Sequence, residues 1–225
     1  MLGAPAGGAW SELRLRRVGD VALTERQPTT LCPEVGGRRT SPTAAAGSDG
    51  ISVAEVTPSI RVLDDGLPID FTFQEMLNYS GPGSPGGVAM AFKAMELAFP
   101  LLDPNGPLAR REVVIDTAFR GPGARDGFEL VTRGLTEGRY TVDAERERPE
   151  RGTTLEQFVF HFAYRGAGCT LLVRDGHVTD EFIALARSPD LSPADQQRFT
   201  AMKQDLADRL MASAAADVFE VEHDG

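Results

Sequence analysis

The sequence predicts an α+β domain: a mixed or antiparallel sheet containing a hairpin, packed by several helices. Three observations carry this expectation. Residues 155–164 and 169–174 are two alternating stretches separated by a glycine-containing turn, which reads as a hairpin. Apolar residues recur at helical spacing after capping residues, as beyond Ser192-Pro193. Strand, glycine loop and helix follow one another twice in the middle of the chain, with no repeat period.

The chain has 225 residues, 41% hydrophobic and 25% charged, enough for one core of about 150 to 180 residues. Residues 1–50 are rich in Gly, Pro, Ala, Thr and Arg and show no sustained period, so they read as a flexible leader that holds the single tryptophan, Trp10. Residues 51–225 read as one domain. A net charge of −10 with no basic stripe excludes nucleic acid and anionic membranes as partners. Cys32 and Cys169 build neither a disulfide framework nor a CxxC site, which fits a reducing compartment. No apolar run is long enough to span a bilayer, and Arg16-Arg17 is not followed by an apolar signal core. A cytoplasmic protein is expected. Only Lys93 and Lys203 are lysines, a bias ascribed to base composition.

The elements follow in order. Residues 59–63 and 69–73 flank Asp64-Asp65-Gly66 as a small hairpin. Thr72 and Glu75 have capping-box spacing and open a short helix through Met76, Leu77 and Tyr79. Val88, Ala91, Phe92, Met95 and Phe99 form the stripe of a core-facing helix that stops near Pro100 and Pro104, with Lys93 and Glu96 off that face. Glu112 to Ala118 reads as a buried strand, broken by Gly121-Pro122-Gly123 before a helix bearing Phe128, Val131 and Leu135. A short strand over 139–143 leads into an alternating-charge run, 143–151, read as a solvated loop. In the main hairpin Phe158, Phe160, Phe162 and Tyr164 share one face as core, and Val159, His161 and Ala163 the other, paired through residues 165–168 with the strand of Cys169, itself read as a small buried residue. Thr179 caps a helix through Phe182, Ile183 and Ala186; Ser192-Pro193 opens the next, with Phe199, Met202, Leu206 and Leu210 on one side.

The segment Tyr79-Ser80-Gly81-Pro82-Gly83-Ser84-Pro85-Gly86-Gly87 runs straight into a helix. It reads either as a cradle for an anion, made of backbone N–H groups with the Ser80 and Ser84 hydroxyls as donors, or as a helix-start turn capped by one of those serines. Read with the helix after it, the segment resembles the aromatic-His-Gly-His-x-Cys-Pro-Gly signature of the FmdE family of proteins related to formylmethanofuran dehydrogenase, matching at Gly81, Pro85 and Gly86. Gly123 to Glu129 is similar to the family's Cys-Gly-Val-Asp-Ala-Ile-Gln, keeping Asp126. Gly134 to Val142 is similar to its Gly-Cys-Thr-Leu-Gly-Lys-Gly-Asn-Leu, keeping Gly134, Thr136 and Gly138, with Arg139 in place of the lysine. The hairpin, the two terminal helices and the closing Asp217 to Val221 follow the family's order, so the resemblance spans residues 70–222. It departs at every His and Cys: Ser80, Pro82, Ser84, Gly123 and Leu135 stand there instead, so metal binding and cofactors are not expected.

The resemblance and its departures, together with the bare N–H groups of the glycine loops, lead to the expectation of a metal-free domain that binds a small anionic metabolite between the two glycine-initiated helices and the hairpin, and that acts on it as a biosynthetic enzyme by acid–base catalysis. Tyr79, Ser80, Gly81, Gly83, Ser84, Arg125, Thr136 and Arg139 are the candidate ligand-binding residues, with Arg139 as charge anchor. His161 and Asp126 are the candidate proton-transfer groups, against a plain sheet histidine and a first-turn aspartate favoured by the helix dipole. Arg125, Glu129 and Arg133 also read as an exposed salt-bridged stripe. The other readings are a non-catalytic accessory or partner-binding protein with a decayed site, and a metal site built from Asp116, Asp126 and His161. A homodimer is compatible with the first two.

Overall fold

The computed structural model describes residues 57–223. The leader expected over residues 1–50, with Trp10 and Cys32, lies outside the described residues. The α+β architecture is present. Strands β1 (Ser59–Asp64) and β2 (Leu67–Thr72) form the first hairpin, and the two-residue β3 (Leu108–Ala109) adds parallel to β1, giving the order β2-β1-β3. Asp65 and Gly66 both take positive φ, 50° and 80°, which suits the twist of a two-residue turn. The larger sheet, ordered β5-β4-β6-β7-β8, contains β4 (Val114–Thr117), β5 (Tyr140–Val142), β6 (Val159–Tyr164), β7 (Ala167–Val173) and β8 (Phe219–His223). Within it, β4 and β5 run parallel and the other neighbours antiparallel.

The helices are α1 (Phe73–Ser80), α2 (Pro85–Leu102), α3 (Pro122–Thr132), α4 (Gly152–Leu155), α5 (Asp180–Arg187), α6 (Pro193–Ala212) and α7 (Ala215–Val218). Helix α2 is the hub, packed by α3, by α6 and by β6 and β7 of the larger sheet. Val88 through Phe92 are all buried, as are Ala94 and Met95, so the apolar surface wraps around the helix and is not a single stripe. Lys93, expected off the core face, is buried too; its Nζ reaches Glu96 Oε2 at 2.8 Å, which keeps the charge paired. The phenylalanine face of β6 is core: Phe162 meets Phe99 of α2 and Phe128 of α3 edge-on, with centroids 6.3 and 5.6 Å apart.

Several boundaries differ from expectation. Helix α2 runs through Pro100 to Leu102, because an exposed proline in the last turn removes one hydrogen bond on the solvent side without blocking the two residues that follow. The strand expected from Glu112 starts at Val114, since Arg110–Glu112 form a 3-10 turn. Leu135 lies beyond α3, 46% exposed, because Arg133 takes a left-handed conformation (φ 55°) and ends the helix. Residues 143–151 contain two 3-10 turns, and Arg146, Glu147 and Arg148 are half-buried. The main hairpin turns at Arg165-Gly166, both at positive φ, so β7 begins at Ala167.

The capping box at Thr72 forms as its spacing implies: Thr72 Oγ1 accepts from Glu75 N at 3.3 Å, and Glu75 Oε2 accepts from Thr72 N at 2.7 Å. Thr72→Ala is expected to cost about 1 kcal/mol of stability in chemical denaturation, the usual worth of such a cap. An unchanged midpoint would show that packing alone holds the start of α1.

Candidate functional site

Two helix starts meet face to face. Ser84 precedes α2, and its carbonyl accepts from Gly87 N (3.1 Å) and Val88 N (3.2 Å). Gly121 precedes α3. The junctions approach so closely that a Cβ on Gly123 would lie 2.3 Å from Ser84 O, and one on Gly87 would lie 3.0 Å from Ala124 N. At position 123 only glycine permits this contact.

Beside the junctions opens a cavity of about 370 Å³, lined by Ser84, Gly86, Gly87 and Gly121 to Gly123 on the backbone side. Its lining includes two aromatic pairs, Phe119 with Phe158, ring centroids 4.8 Å apart, and Phe182 of α5 with Phe199 of α6, 5.2 Å apart. Arg120, Arg187 and Lys203 are the charged groups on its surface, and among the described residues no Asp or Glu lines it. In a chain with 33 acidic residues and net charge −10, the lining itself is cationic, while Glu147 and Glu156, outside the lining, pair with Arg120 and Arg187. Pro85 and Pro122 hold the first helical positions and carry no N–H, and Gly87 N, Val88 N and Arg125 N are taken by the Ser84 and Gly121 carbonyls, so the helix starts act on the cavity chiefly through their positive ends.

The cations differ in how far they are engaged. Arg187 Nη2 donates to Thr153 O (2.9 Å) and Glu156 Oε1 (3.0 Å). Lys203 Nζ donates to Gly83 O (3.0 Å) and stands 4.4 Å from the Phe199 ring centroid. Arg120 meets Glu147 Oε1 at only 3.5 Å, with its side chain 58% exposed.

Of the ligand-binding candidates read from the sequence, only Ser84 lines this cavity, and its hydroxyl makes no cap bond. Gly83 touches the site through the carbonyl that accepts from Lys203. Gly81 closes α1 at φ 78°, and Tyr79 is 54% exposed; neither lines the cavity. Ser80 is not a helix-start cap: its Oγ donates to Asp126 Oδ2 at 3.0 Å and ties α1 to α3. Asp126 also accepts from Arg125 Nη2 at 3.0 Å, so Arg125 and Asp126 pair with each other outside the cavity. Near this pair, burial foremost and Asp126 beside it push the Tyr140 phenol up to about 12, only partly opposed by Arg125.

The Arg125, Glu129, Arg133 stripe does not pair along the helix. Glu129 Oε2 instead accepts from Leu135 N (2.7 Å) and Thr136 N (3.1 Å), and Thr136 Oγ1 donates to the same carboxylate, so Thr136 serves the end of α3. Arg139 is absent from the cavity wall. Its Nη1 donates to Val113 O, and its Nη2 donates to Thr132 O (2.9 Å) and Glu137 Oε2 (2.7 Å). That last hydrogen bond, ahead of the nearby arginine charges, holds the Glu137 carboxyl below its usual range. The charge anchor expected from the sequence is a structural clamp.

His161 lies on the face of β6 away from the phenylalanines, opposite Asp116 and Thr170, with Nδ1 3.1 Å from Thr170 Oγ1. Asp116 meets Arg146 Nη2 at 3.5 Å, whereas Asp126 is bound to Ser80 on α1. Among the described residues no three His, Cys, Asp or Glu side chains are grouped to hold a metal ion, so the set Asp116, Asp126, His161 is not assembled. Among the described residues no helix is long and apolar enough to cross a membrane.

The chain matches no protein-family model and no curated protein. Sequence reasoning missed the aromatic walls and all three cations. A signal existed in Lys203, one of two lysines in the chain, on the same helix face as Phe199.

Proposed function

We propose that this protein is a metal-independent, divergent relative of the FmdE family that binds a small organic anion beside its paired glycine junctions. The observation that carries the reading is the sign of the lining: three cations, two helix N-termini and, among the described residues, no carboxylate line the cavity of a strongly acidic chain, with Glu147 and Glu156 meeting Arg120 and Arg187 only from outside it. Its size is that of a small-molecule site, and its walls are mostly apolar with a few polar groups, as such sites are. No His, Asp or Glu among the described residues lines the cavity, which favours binding over acid–base chemistry.

The test is thermal unfolding against a panel of organic carboxylates and phosphates. A true ligand at a hundredfold excess over Kd is expected to raise the melting temperature by about 5 to 10 °C. Ala186 is exposed on α5 and lines the cavity, so Ala186→Trp fills it without entering the core. That variant should melt like the parent and lose the ligand-induced shift. A panel without hits, together with co-purification of a fixed protein partner, would replace this reading with that of an accessory protein.

A further inference from the structure

We infer that the ligand is a planar aromatic or conjugated monocarboxylate, an inference that rests on the anion-binding reading above. The volume suits a small guest, since about 370 Å³ lies near the low end of small-molecule sites.

The walls set the shape and surface. Two aromatic pairs line the cavity, Phe119 with Phe158 and Phe182 with Phe199, and the rings within each pair are tilted by 43° and 58°. A flat unsaturated guest lying against these rings gains ring-to-ring contacts that a saturated chain of equal area does not. Helix α5 adds a second argument. None of its eight residues is buried, and Phe182 and Ile183 are left half-exposed over the cavity. Both side chains pack on the core along one edge, and a guest in the cavity would complete their burial.

The cations set the charge. Arg187 is engaged by Glu156 and a carbonyl, and Lys203 by a carbonyl and the Phe199 ring. Arg120, held only by a 3.5 Å contact to Glu147, is the group free to turn onto an acid, and its planar fork matches a carboxylate. One loosely held guanidinium balances one negative charge. A polyphosphate would need Arg187 and Lys203 to leave their partners.

Titration calorimetry with four probes tests this: 2-naphthoate, its neutral analogue 2-naphthylmethanol, decanoate and pyrophosphate. Naphthoate should bind most tightly, losing about tenfold or more when the carboxylate is replaced by the alcohol or when Arg120→Gln is introduced. Phe182→Ala should weaken naphthoate more than decanoate. If decanoate or pyrophosphate binds more tightly than naphthoate, and Ala186→Trp abolishes that binding, the planar monoacid class is wrong while the anion cavity stands. If no probe binds, or if binding survives Ala186→Trp, both readings fall.

Discussion

Gly123→Ala is expected to destabilise the protein by about 3 kcal/mol or more, the upper range for overpacking a close contact. The added Cβ would lie 2.3 Å from Ser84 O, 2.8 Å from Ser84 Cβ and 3.0 Å from Val88 N. Two of these three atoms are backbone, so no rotamer change relieves the clash. Relief requires α2 and α3 to move apart, and α2 is held on its other sides by α6 and the larger sheet. The movement would propagate to Gly127, where a Cβ would already meet Met76 Cε at 2.8 Å and Ala91 Cβ at 2.9 Å, so that seam has no slack to accept a tilt. Gly83→Ala is the control, since nothing lies within 4 Å of its Cβ position. Urea denaturation should separate the two variants clearly, with the slope unchanged. Equal midpoints would mean that the glycine junctions are not in close contact, and the cavity built beside them would lose its foundation.

The glycine stretch shows where sequence reading succeeds and where it stops. Local signals are legible because their physics is local: Thr72 with Glu75, Thr179 and Ser192 each close a first helical turn with atoms three residues apart. The alternation of residues 158–164 defines a core face for the same reason. Glycines are ambiguous, since the same residue type serves a positive φ, a bare N–H or a close approach. Gly81 is the first kind; Gly86, Gly87 and Gly123 are the third, pressed against α6 or the facing junction. The aromatic cavity walls look like core stripes in the sequence, because Phe199 shares helical spacing with the buried Leu206 and Leu210, and spacing does not tell a residue facing packed atoms from one facing an opening. Strand β8 is not legible as a strand because its pairing partner, β7, is more than forty residues earlier, a contact that five residues of local pattern do not announce.

Arginines pose the opposite difficulty, and Arg139 allows the sharpest test. Its motif position suggests a ligand anchor whose loss would weaken binding and spare the fold. Its hydrogen bonds argue for the opposite on both counts. The side chain is 17% exposed, and its guanidinium joins three backbone segments: Val113 before β4, Thr132 at the end of α3, and, at 3.4 Å, Arg110 in the 3-10 turn. It also pairs with Glu137, which binds Arg111 as well. Arg139→Ala would leave carbonyls in a part-buried setting without their donor and the Glu137 carboxylate short of a partner. A loss of about 2 to 4 kcal/mol is expected from such orphaned groups. Arg139→Lys should recover little of it, because one ammonium cannot reach carbonyls that a planar fork spans from two nitrogens. Where each variant remains folded, at reduced temperature, its affinity for 2-naphthoate should equal the parent's, since Arg139 does not line the cavity. A variant with parental stability and impaired naphthoate binding would return Arg139 to the site and displace the cavity described here.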